Sequence, residues 1–366
     1  MSHMSRNHIA VLLAIGATVP MQSLAPRPGL AETLGNGEAD GFAAIGISDS
    51  DALGARATAI GGIAIGSESF ALTKDATHPC TGGSDATDCG HGNIAIGISS
   101  QSTNDFAVAV GFVSKAGGIN SSAYGPSSVA SGQLSSAVGA NANAVGNSSF
   151  AAGSSATANG LLSIAIGFSS SAADAAVALG SQANARANNT IAMGQGSAAT
   201  GIRSFAAGTS ANSAGNGSIA AGTSANSAGN ESIAIGTNAS TLNPTTRVGA
   251  FGAVAIGQSS AARSDRSTAV GQVASATGVD SSAYGNHSGA GGKESSAYGV
   301  DSHAEGDNSS AYGHNSTALG SGGTAIGART KANGSNSAAM GSEAIAGGDS
   351  SMALGNKSSA SKAGAL

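Results

Sequence analysis

The side chains best equipped for chemistry are few: two cysteines and seven histidines in 366 residues. Cys80 and Cys89 lie within an irregular stretch, residues 67–92, with His78 and His91 on either side. Two thiols and two imidazoles could in principle hold zinc, but the close Cys-x-x-Cys pairing typical of structural zinc sites is absent. In an oxidising compartment two such thiols close a loop, and a Cys80–Cys89 disulfide is the expectation. Asp301, Glu305 and Asp307 cluster in one stretch, but calcium-binding rolls repeat Gly and Asp with a period of nine, which this chain lacks. Separately, His287, His303 and His314 fall at different repeat phases, so they read as exposed polar residues at turns. Tyr284, Tyr298 and Tyr312 recur every 14 residues and should stack on one face. That stack is expected as a core or interface ladder, with an exposed ligand-gripping stripe as the alternative. Thr268, Thr317 and Thr324 do not share one phase, which argues against a flat threonine array of the ice-binding kind. Glycine-rich phosphate motifs match such a chain by chance and carry no weight. No catalytic residue, cofactor or metal site is expected, and the ligand-binding residues stay unassigned.

The elements that would position these groups follow from composition. The chain has 57 glycines, no Trp, 3% aromatic residues, 10% charged residues and a formal charge of −5. An ordinary domain of this length needs many large side chains for its core, and here Ala and Ser stand in their place. Disorder normally comes with high net charge and few β-branched residues, whereas Ile and Val recur here in register. The absence of a basic patch makes nucleic acid an unsuitable partner. At the N-terminus Arg6 and His8 precede the apolar run from Ile9 to Ile15, and Gly29 and Ala31 supply small residues before a cleavage point. Residues 1–31 therefore read as a cleaved signal peptide, too short in its apolar part to span a bilayer.

Periodicity then decides the architecture. Stepping by seven from Gly180 to Gly355 gives 26 positions, of which 22 are Gly. The exceptions are Ala187, Asn243, Ala250 and Ser264. An earlier block keeps the same step from Gly97 to Gly167, broken at Asn104, and one residue is missing between Gly167 and Gly180. The residue before alternate glycines is large and apolar: Ile256, Val270, Tyr284, Tyr298, Tyr312, Ile326, Met340 and Leu354. The true unit is thus 14 residues. A coiled coil is excluded, because each seven carries a Gly that costs about 1 kcal/mol in a helix. Phrases such as Ile94-Ala95-Ile96-Gly97 alternate large and small with the period of a strand. Each unit is expected to be two short strands and two tight turns, with Gly making the turns. Some 20 such coils at roughly 4.8 Å each would form a rod on the order of 90–100 Å long. One apolar stripe would remain outside and call for self-association.

These phrases, with Ser163-Ile164-Ala165-Ile166-Gly167, Ser232-Ile233-Ala234-Ile235-Gly236 and Ser282-Ala283-Tyr284-Gly285, resemble the heptad haemagglutinin repeats of YadA-like heads. Those heads belong to the trimeric autotransporter adhesins, and the resemblance covers about residues 41–355. It implies an all-β fold, a left-handed parallel β-roll of 14-residue coils assembled as a homotrimer. It further implies attachment to host cells or extracellular matrix by multivalent binding, with an inert spacer rod as the alternative. The expected organisation is the signal peptide, the start of the head repeats at 32–66, and the insert at 67–92. The β-roll head follows at 93–355, with a loop at 241–251, and then a tail at 356–366. No stretch resembles the family's neck, coiled-coil stalk or β-barrel anchor, so an exported or surface head with its anchor missing from this chain is the expectation.

Overall fold

The computed structural model describes residues 55–57, 62–72 and 92–366, together with the backbone of three strands, Glu32–Leu34, Glu38–Ala39 and Ile45–Ile47. The signal-peptide reading and Cys80, Cys89, His78 and His91 all lie outside the described residues. Among the described residues no helix forms; the chain is an all-β parallel solenoid with coils of about 14 residues.

Each coil contains one strand of three residues and one of two, and each pairs only with its counterpart in the next coil. Ile164–Ile166 lies parallel to Val177–Leu179, which lies parallel to Ile191–Met193. The long strands build a single sheet of 22, and the short strands build two sheets of 13 and 8. Because equivalent strand residues pair directly from coil to coil, they stack in columns and every side chain keeps its face. The missing residue before Gly180 is absorbed at Ala173-Asp174-Ala175, between strands, and leaves the register intact.

The core explains the composition. In the three-residue strand the middle residue points inward, and it is Ala in coil after coil: Ala95, Ala109, Ala123, Ala137, Ala151, Ala165. The two-residue strand contributes a second inward residue, mostly Ala, and the residue that precedes a strand is mostly a buried Ser or Ala. The largest fully buried side chains are Asn93, Thr190, Thr241 and Thr330. Many of the buried serines are hydrogen-bonded locally, as where Ser170 Oγ donates to the Gly167 carbonyl at 3.0 Å and Ser281 Oγ to that of Gly278 at 2.6 Å, while others, such as Ser135 and Ser149, have no partner for the hydroxyl. Such bonds offset the cost of burying a hydroxyl, about 1–3 kcal/mol when left unpaired.

Glycine plays two parts, the expected one in the turn and a second set by the neighbouring coil. Gly153 follows a long strand at φ +128°, and a Cβ there would lie 2.7 Å from the Gly167 carbonyl oxygen. Gly132, after a short strand, has no left-handed φ; a Cβ on it would sit on top of the carbonyl of Gly146 in the next coil. The left-handed residue of each turn is a different position and is mostly not glycine. Val113 (φ 56°), Leu134 (φ 57°) and Ser169 (φ 52°) occupy it, so even a β-branched residue makes the turn. A left-handed residue costs roughly 1–2 kcal/mol. Offsetting that cost, its N–H joins the inter-coil ladder, as Val113 N–H does with the Ile98 carbonyl at 2.9 Å.

Two sequence boundaries shift. Residues 67–72 complete an ordinary coil, since Phe70–Ala71 pairs with Gln101–Ser102, and residues 73–91 of the expected insert lie outside the described residues. Asn93 Nδ2 donates to the Leu72 carbonyl at 2.7 Å. The loop at 241–251 is a bulge on one coil: Leu242 bridges Gly249 antiparallel, and Ser240 bridges both Asn226 and Ala261 to carry the short-strand ladder past it. The ladder also continues beyond Gly355, with Ser359–Ala360 paired to Ile345–Ala346.

Two substitutions test this packing by chemical denaturation. Ala165→Val should destabilise by about 1–3 kcal/mol, because the core has no room for two more methyl groups. Val113→Asn should stabilise by about 1 kcal/mol, because Asn tolerates the left-handed region that Val resists.

Candidate functional site

With nothing larger than Thr or Asn fully buried among the described residues, the large apolar residues are left outside or only partly covered. Both flanking residues of each long strand point outward, forming two parallel columns on the 22-stranded sheet. Ile96, Val138, Ile166, Met193, Ile235, Ile256, Ile326 and Met340 in one column are 36–42% exposed. The other column carries Phe150, Ile164, Ile191 and Ile219 at 36–37% exposure. From Thr268 to Thr324 this second column turns polar, as Thr268, Ser282, Ser296, Ser310 and Thr324. Thr268 and Thr324 therefore do share a phase, four coils apart, but serines separate them and no threonine array results.

Beside those serines the first column becomes aromatic. Tyr284, Tyr298 and Tyr312 stack as expected, with ring centroids 4.9 and 5.1 Å apart and planes within 7°. Each phenol is 37–40% exposed, so the stack is on the sheet surface and not in the core of its own chain. Stacked rings cover one another's faces, leaving edges and hydroxyls outward, which suits packing against a second surface better than gripping a ligand between rings. Burial raises the Tyr298 phenol above the ordinary tyrosine range, and the phenols of Tyr284 and Tyr312 add to the effect.

The turn columns carry the charges. Arg266 clamps Asp280 in the next coil through Nε–Oδ1 at 2.6 Å and Nη2–Oδ2 at 2.7 Å. That hydrogen bonding holds the Asp280 carboxyl below the usual range. Arg329 pairs with Glu343, which Lys357 approaches at 4.0 Å. Elsewhere a carboxylate or amide caps an outward N–H of the preceding coil: Asp265 that of Phe251, Asp307 that of Lys293, Asn147 that of Gln133. Exposed pairs of this kind are worth little singly; here they tie successive coils together.

A family model for the YadA head domain repeat matches in segments from 94–114 to 346–366, leaving out residues 240–249, most of the bulge. The chain belongs to the YadA head family. A search of the curated proteins found no match. Membership marks it as an adhesin head of the surface-exposed bacterial kind, and the match follows the same two-coil repeat that the strands display.

Within this YadA head the short-strand face differs from the long-strand face. Its outward positions are largely polar, among them Gln101, Lys115, Asn143, Thr157, Asn184 and Asn212. The histidines dismissed for lack of common phase are partly brought together there. His303 lies in a short strand rather than at a turn, His287 and Asp301 occupy adjacent turns 3.8 Å apart, and Glu305 follows in the same region. His314 sits in another column and does not join them. Different phases place residues on neighbouring columns, which one coil's width still brings within reach; a search for ladders alone misses this.

Tyr298 should ionise above the ordinary phenol range. Tyr298→Phe should remove that step from a spectrophotometric titration.

Proposed function

We propose that this head assembles as a homotrimer of left-handed β-rolls and attaches bacteria to host cells or extracellular matrix through many weak, repeated contacts. The observation that carries the reading is the pair of outward apolar columns on the 22-stranded sheet. A stripe that runs the length of a rod exceeds what a monomer leaves in water, and covering it with copies of the same chain is the symmetric solution. Burial of such surface is worth about 25 cal/mol per Å², so a long stripe makes assembly strongly favourable. Family membership supports the same assembly and the same role.

With the long-strand faces inward, the polar short-strand faces and both turn columns of three chains would be displayed. Multiplying one weak contact by repetition and by three chains gives avidity far above any single affinity. The reading includes export, consistent with the signal-like N-terminus, and assigns the rod no catalytic step: its buried hydroxyls hold turns and its outer side chains join coils or meet partners. The bulge at 241–251 interrupts the monotonous surface, with Val248 64% exposed at its edge. Breaks of this kind are where specific recognition is commonly placed.

The test is a solid-phase panel of collagens, fibronectin, laminin and cultured host cells, probed with the assembled head. Saturable binding to one of them is expected, reduced when residues 242–248 are replaced by a short Gly-Ser link. No binding to any surface by a properly assembled head would point to an inert spacer rod instead.

A further inference from the structure

One coil on the short-strand face lacks its outward side chains. The two outward positions of that face are Ser275 and Thr277 in one coil, Gly289 and Gly291 in the next, and His303 and Glu305 in the third. No other described coil has Gly at both positions. The gap is a notch of 370 Å³ within the size range of small-ligand sites. The inter-coil ladder runs through it undisturbed, with Gly289 N–H bonded to Ser302 and Gly291 N–H to Ala304, both at 2.8 Å. The glycines are not needed for a left-handed turn, since neither has a left-handed φ.

The groups around the notch are hydrogen-bond acceptors. His303 Nδ1 lies 2.9 Å from the Asp301 carbonyl, which can only accept, so Nδ1 carries the proton. In the neutral ring that leaves the Nε2 lone pair, and Nε2 lies 3.5 Å from where a Cβ of Gly289 would be. Glu305 reaches over Gly291 from the same side. Its carboxylate has no ion pair or side-chain hydrogen bond among the described residues. The neighbouring carboxylates are used by the fold: Asp265, Asp307 and Asp349 cap backbone N–H groups, and Asp280, Glu294 and Glu343 pair with Arg266, Lys293 and Arg329. Asp301, facing His287 at 3.8 Å, lines the notch too.

We propose that the notch over Gly289 and Gly291 seats a lysine or arginine side chain of a protein ligand, its cationic head held by Glu305 and His303 Nε2. This rests on the adhesin reading and names one contact within it. A head with three or five N–H donors matches a rim of a carboxylate, an imine nitrogen and the hydroxyls of Ser275 and Thr277. A metal ion is the weaker occupant, because no three His, Cys, Asp or Glu groups among the described residues are arranged to hold one. One such seat per chain becomes three in the assembled head, all at the same height on the rod.

The test passes the full assembled head over a surface carrying a Gly-Lys-Gly peptide and over the same peptide with acetylated lysine. Binding to the lysine surface and none to the acetylated one is expected. Glu305→Gln should weaken it roughly tenfold through the lost charge-assisted bond. Gly289→Val should weaken it at least as much while keeping every charge; Val is the residue at the equivalent Val129, so the fold should tolerate it. Equal binding by Gly289→Val would show general acidity instead of a seat and overturn the proposal, as would binding of Zn²⁺ alone with none of lysine. The outcomes separate from those of the adhesin reading. If Gly289→Val adheres to host surfaces as well as the parent head, the notch is no adhesive contact and the adhesin reading stands. If the head adheres to nothing yet selects lysine through the notch, the seat is upheld and the adhesin reading falls.

Discussion

The structure depends on the stacking of one coil's backbone directly on the next. Every strand is hydrogen-bonded only to its counterpart a coil away, in parallel register, over 22 layers. Strands in such a ladder are about 4.8 Å apart, and a coil of 14 residues encloses very little space. Those two facts admit only Ala, Ser and the occasional Thr or Asn inside. They also demand Gly wherever a Cβ would strike the next coil's carbonyl, as at Gly132. The unusual composition follows from this geometry. The large apolar residues are therefore displaced to the outside, where they form columns because the repeat keeps each one in phase.

A fold that cannot bury its own apolar residues carries them on its surface. The long-strand face presents two apolar columns, while the short-strand face and the turns present hydroxyls, amides and paired charges. Repetition also makes the surface uniform, so a departure from the pattern carries more information than the pattern does. Three departures are on view among the described residues: the bulge after Thr241, the tyrosine ladder and the glycine notch. The first lengthens a coil without breaking the ladder, because only a turn changes length. The other two keep the backbone and change the chemistry of a face.

Much of the fold was legible in the sequence, because strict repetition converts position into geometry. The Gly grid, the alternation in Ile-Ala-Ile and the 14-residue recurrence of Ile256, Val270 and Tyr284 gave strands, turns and an outward stripe. Half of the part glycine plays was legible: the turn at Gly153 was, the close approach at Gly132 was not. Sequence reveals that Gly recurs but not whether φ or a neighbouring coil requires it, and Val113 and Leu134 in left-handed turns show that the two are separable. The candidate seat was missed for a related reason. Gly289 and Gly291 look like two more glycines in a glycine-rich chain, and His287, His303 and Glu305 lie on different columns. Only the placement of neighbouring columns side by side shows that a missing side chain in one coil leaves the groups of the next facing an open notch.

The most direct measurement of the central claim is the solution mass of residues 32–366 by sedimentation equilibrium, set against a variant with Ile166→Lys and Ile235→Lys. If the outward face of the long strands is what copies of this chain bury, the parent should sediment as a trimer across the accessible concentration range. The variant should then fall to folded monomers with the same β-sheet spectrum. A parent that is monomeric, or a variant that stays trimeric with two lysines in each chain's stripe, would contradict the account.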